Sequence, residues 1–121
     1  MENVSAQVKL QSIESFQSTI RKTEKALIQM HEKNANTTLV NSRLNALRTG
    51  LVVLEAVWED KTHSYTLEDL AEARLVLIGL LSSIEAMYTK SKEGSPQKTL
   101  LERRITSLEL AIQALNDLIN E

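Results

Sequence analysis

The stretch AVWEDKTHSYTLED, residues 56 to 69, holds the only Trp of the chain (Trp58), one of its two His residues (His63), one of its two Tyr residues (Tyr65) and four carboxylates. It is either a site or a connection between helices, and the flanking periodicity favours the connection. Before it, Val40, Leu44, Leu47, Leu51, Leu54 and Trp58 recur in steps of four and three, one stripe of a helix, with Val52, Val53 and Val57 widening the apolar face. After it, Thr66 followed by Glu68 and Asp69 reads as an N-cap with acidic residues in the first turn, where the helix dipole favours negative charge. Between these signals EDKTHSYT has no apolar period and is expected to form a polar corner.

Working outward, the third helix carries Leu70, Ala73, Leu77, Leu80, Ile84 and Met87 on one stripe and Leu67, Ala71, Ile78, Leu81 and Tyr88 on the next, which predicts burial against more than one neighbour. The strongest boundary is TKSKEGSPQK, residues 89 to 98: lysines close a helix, Gly94 follows, and Ser95-Pro96 offers an N-cap and a proline at the first helical position. A fourth stripe runs through Leu101, Ile105, Leu108, Ile112, Leu115 and Ile119. Upstream, Ile13, Phe16, Ile20, Thr23, Leu27 and Met30 form the first stripe, which meets the turn-forming NANTT at residues 34 to 38. Gly50 interrupts the second stripe at a cost of about 1 kcal/mol relative to Ala and marks a close helix contact.

These signals predict helices over residues 4–32, 38–59, 67–90 and 96–120 in a single all-α domain spanning 1–121. The class is an antiparallel four-helix bundle; short connections favour up-down-up-down order, the alternative being helices 1 and 2 extended and exchanged between two chains. With 121 residues the core is large enough to fold without staples, and with no Cys there is no disulfide or thiolate metal site. That composition, with an N-terminal sequence lacking a basic segment followed by a continuous apolar one, gives the expectation of a cytoplasmic protein. LVLIGLL, residues 75 to 81, is too short to span a bilayer and is read as core. A net charge of −2 gives no global field toward nucleic acid or anionic lipid.

Candidate sites are few. Glu59, Asp60 and His63 offer oxygen and nitrogen ligands, and Asp60-x-x-His63 has the i, i+3 pairing of bundle metal sites, but it falls at a helix end, where a solvated corner is the simpler reading. No metal or other cofactor is therefore expected. Trp58 belongs to the core stripe, plugging the bundle end with its indole N–H toward loop backbone or water. His31 suits the dipole at a helix C-terminus. A metal-dependent nucleotide or phosphoester hydrolase would draw on Glu59, Asp69 and Glu72, one imperfect half of the paired acidic motifs such chemistry needs. Neither His has the Arg spacing of a helical ribonuclease, and no phosphate loop or nucleophile elbow is present. Lys90, Lys92, Lys98 and Arg103 gather around the last corner as a basic patch, without the aromatic platforms of specific nucleic-acid binding. Arg104 lies just beside its stripe, where it either snorkels or meets a carboxylate.

Apolar residues that miss the seams are more informative. Leu10, Ile28, Leu39, Val53, Val76 and Leu110 are expected outside the core, with Val76, Leu110, Val53 and Ile28 as interface candidates. The function expected is a protein-interaction module of adaptor, chaperone or inhibitor type. It has no catalytic constellation, no membrane role, a protein partner and a possible homodimer; hydrolase and nucleic-acid binding are the alternatives.

Overall fold

Each helix starts where a side chain satisfies its first N–H groups. Ser5 Oγ accepts from the Val8 N–H, Ser95 Oγ from the Lys98 N–H ahead of Pro96, and Thr66 and Asp69 form a reciprocal capping box. At the second helix the cap is supplied from outside, by Asn36 Oδ1 accepting from the Thr38 N–H at 3.0 Å. The computed structural model describes residues 3 to 121, in which α1 is Ala6–Glu32, α2 Thr38–Trp58, α3 Leu67–Lys90 and α4 Pro96–Ile119. Thus the four expected helices form, within two residues of their expected ends. Asn34 and Asp60, at φ 55° and 54°, reverse the chain after α1 and α2, where Asn and Asp tolerate the left-handed region best among side chains with a Cβ. Ala35 and Lys61 then donate their N–H groups to the carbonyls of Met30 and Ala56, tying off orphan helix carbonyls.

Two hairpins set the helix directions. α1 and α2 are antiparallel: Lys9 lies by Trp58, Phe16 by Gly50 and Glu24 by Arg48, so residue numbers fall on one helix as they rise on the other. The same holds for α3 and α4, where Arg74 meets Asn116 and Tyr88 meets Lys98. The hairpins pack on one another. One groove between them is bordered by Thr38, Asn41, Ser42, Asn45 and Thr49 of α2 and by Tyr65, Asp69, Glu72, Ala73 and Val76 at the start of α3, and another by Val8, Gln11 and Ser12 of α1 with Thr99, Glu102 and Arg103 of α4.

Residues 59 to 66 join the two hairpins. Asp60 at positive φ and the bond from the Lys61 N–H back to the Ala56 carbonyl turn the chain at the end of α2, and the six residue steps from Lys61 to Leu67 reach about 20 Å when extended.

The core is assembled around α2 and α4, each of which packs against all three other helices, while α1 and α3 lie across the longer diagonal. The buried arc of α2 therefore exceeds one seam: Leu44, Ala46, Leu47, Thr49, Gly50, Val53, Leu54 and Ala56 are all buried. On α4 the buried Ser107, Ala111 and Ala114 are small, which lets a helix approach closely along the α2–α4 diagonal. Gly50 sits where three helices converge. A Cβ there would stand 3.1 Å from Leu77 Cδ1 and 3.2 Å from Phe16 Cε1, so the missing side chain gives those two core residues their place.

Two outcomes follow from this architecture. Deleting Thr62 and His63 shortens the connection between the hairpins, removes the bond that His63 accepts from Tyr65 and lowers the urea midpoint more than deleting Asn36, which costs little more than a helix cap, about 1 kcal/mol. At the glycine, Gly50→Leu overpacks the core and destabilises by about 1–3 kcal/mol, while in Gly50→Ala the crowding is offset by about 1 kcal/mol of helix propensity; urea unfolding of the two variants reads the difference.

Candidate functional site

The connection between the hairpins orders its own polar residues. His63 Nδ1 accepts from the Tyr65 N–H at 3.1 Å, and the two rings stack with centroids 6.0 Å apart. Tyr65 packs against the core while Glu59 pairs with Lys61 at 2.7 Å. Trp58 packs on the core beneath the Lys9 ammonium, 5.8 Å from the ring centroid; its buried Nε1 finds no acceptor among the described residues, contrary to the expected loop contact. Glu59 follows the end of α2, whereas Asp69 and Glu72 belong to the first turns of α3. Among the described residues no three His, Asp or Glu side chains converge as a ligand set. The Asp69 carboxylate is engaged in the α3 capping box, accepting from the Thr66 N–H at 3.0 Å.

The basic residues divide into two groups. Lys98 is used within its corner: it pairs with Glu93 and lies 4.6 Å from the Tyr88 ring centroid, its side chain only 13% exposed. The hydrogen bond to Glu93 pushes its pKa above the ordinary lysine value. Lys90 and Lys92 are exposed. Arg103 instead faces α1, where it borders a groove of about 350 Å³ with Arg21, Arg104 and Glu14. Arg104 is half-buried and also borders a small cavity beside Phe16 and Leu108. Of the two expectations for it, its stem covers apolar surface and no carboxylate pairs with it among the described residues.

Of the expected interface residues, Val53 is a correction: it is fully buried, because α2 meets three helices rather than two. Val76 and Leu110 are half-buried and pack against the core cluster. Ile28 is 60% exposed, as are Leu10 and Leu39 to a similar degree. The larger apolar exposure is on α3, which touches only α2 and α4. Leu70, Ala73, Leu77 and Ile84 face inward, but Leu67 is 64%, Leu75 66% and Ile78 38% exposed. The expected second stripe of α3 is therefore mostly outward-facing; only its Leu81 and Tyr88 pack against the core. The run LVLIGLL is core on one side only. No helix of the described residues is long and apolar enough to cross a membrane.

The signal for this surface was present in the sequence. From Leu75 to Ile84 there is no charged residue, nearly three helical turns. A helix with a solvated side normally places charge there every turn. Comparison of the chain with protein-family models, with curated proteins and with solved structures gives no match, so the functional reading rests on this geometry.

The Lys98–Glu93 pair has a testable pH dependence. A lysine whose folded pKa is raised contributes stability that is complete below the unfolded value of 10.5 and is lost as pH rises through the folded one. The difference in thermal midpoint between the wild type and Lys98→Met is expected to persist from pH 7 to 9 and to shrink above pH 10.5.

Proposed function

We propose that this protein is a cytoplasmic helical protein-interaction module, of adaptor, chaperone or inhibitor type, whose contact surface is the outer face of α3. One observation carries the reading: the centre of α3 is free of charge on its exposed side as well as its buried one, with Leu75 and Ile78 outward. An apolar side open to water is the mark of a surface meant to be covered. Burial of Leu75 and Ile78 supplies the affinity, while Glu68, Glu72 and Lys90 at its margins orient the partner. Of the acidic residues weighed for hydrolysis, Asp69 is engaged in capping its own helix and Glu59 in pairing with Lys61, which favours binding over catalysis.

Cross-linking in native extract followed by mass spectrometry tests this. Cross-links from α3 to protein, lost in Leu75→Asp with helicity retained, are the expected result. Leu75 is exposed, so the variant folds. Cross-links that survive the substitution, or their absence from α3, would overturn the reading.

A further inference from the structure

The outer face of α3 carries enough pattern to identify its occupant, an inference that rests on the interaction reading above. At 100° per residue, Ala71, Leu75, Ile78, Gly79, Ser82 and Ala86 lie on the outward arc together with Glu68, Glu72 and Lys90, and between Glu72 and Lys90 the arc carries no charge and, apart from Leu75 and Ile78, only small residues and Thr89. Gly79 is at its middle. A Cβ built there meets nothing within 4 Å, so unlike Gly50 this glycine makes no room for anything in its own chain. It leaves the helix backbone open to close approach from outside.

The charges around it are self-complementary. Glu68 and Lys90 are exposed, lie on the same outward side and stand eleven residues before and after Gly79. If a second α3 is laid antiparallel across the first with the two-fold axis at Gly79, Glu68 of each copy faces Lys90 of the other. Leu75 then faces Ser83, and its side chain enters the space left by Gly79, Ser82 and Ser83 of the second copy. A parallel pairing would instead set Glu68 on Glu68 and Lys90 on Lys90, which is unfavourable. We infer that α3 pairs with α3 of a second copy in an antiparallel, two-fold symmetric homodimer centred on Gly79. Such an isologous contact needs only one surface to be complementary to itself. The apolar centre supplies the association energy, and the two Glu68–Lys90 pairs, being exposed, fix orientation more than affinity.

Sedimentation equilibrium of the purified full chain over a micromolar to millimolar range tests this directly. The wild type is expected to approach twice the 13.6 kDa of one chain with a dissociation constant on the order of micromolar, as suits a small interface. Gly79→Arg places like charges on the axis and is expected to give the mass of one chain. Its thermal unfolding, measured where the wild type is monomeric, should be no less stable, because the position is open and Gly is a poor helix former. Glu68→Lys and Lys90→Glu are each expected to weaken association by several-fold to roughly tenfold, and the double variant to recover it. A wild type that stays a single chain at every concentration overturns the proposal, as does a Gly79→Arg dimer of wild-type strength. Failure of the double variant to recover overturns the antiparallel register. A single-chain wild type whose α3 still cross-links to other proteins in extract removes the second copy while leaving the interaction module standing.

Discussion

The whole arrangement depends on a side chain that is absent. Phe16 from α1 and Leu77 from α3 both rest against the bare backbone of Gly50 on α2, so three helices meet at one point. α2 and α4 each pack against all three other helices, and the wide buried arc of α2 follows from that position. Every helix leaves some large apolar group outside, among them Ile28 on α1, Leu39 on α2 and Leu100 on α4, but α3, with two neighbours instead of three, leaves the most: Leu67, Leu75, Ile78 and Met87.

The candidate polar groups between α2 and α3 are used locally. Asp69 is spent on capping its own helix, Glu59 pairs with Lys61, and His63 accepts from the Tyr65 N–H. Similarly, the lysines and arginines that look continuous in the sequence are divided: Lys98 turns inward over Tyr88, and Arg103 turns across to α1. What could have been two polar sites becomes surface charge around an apolar face.

The helices were legible because periodicity, caps and breakers agreed at Thr66, Ser95 and Pro96, all of them local signals. Gly50 was legible as a close contact for the same reason. The cap at Ser5 was not singled out, since no apolar period begins beside it. The misjudged Val53 has a related cause: a stripe drawn for two neighbours underestimates a helix that has three. On α3 the reverse held, and the second stripe looked buried because its residues are apolar. The absence of charge between Arg74 and Glu85 was the better signal, since apolar residues alone do not say which side is covered.

The connection at residues 59 to 66 also divides the chain for folding. α1 with α2, and α3 with α4, are two helical hairpins, each closed by a connection of five residues, 33–37 and 91–95, and each rich in contacts between near neighbours in sequence. Short closures cost little entropy and form quickly. Each hairpin is a natural local folding unit, but neither has a complete core alone: Leu47 and Leu54 of the first need Leu77, Leu108 and Leu115 of the second. Residues 59 to 66 hold the two halves at high effective concentration, so their docking is an intramolecular step.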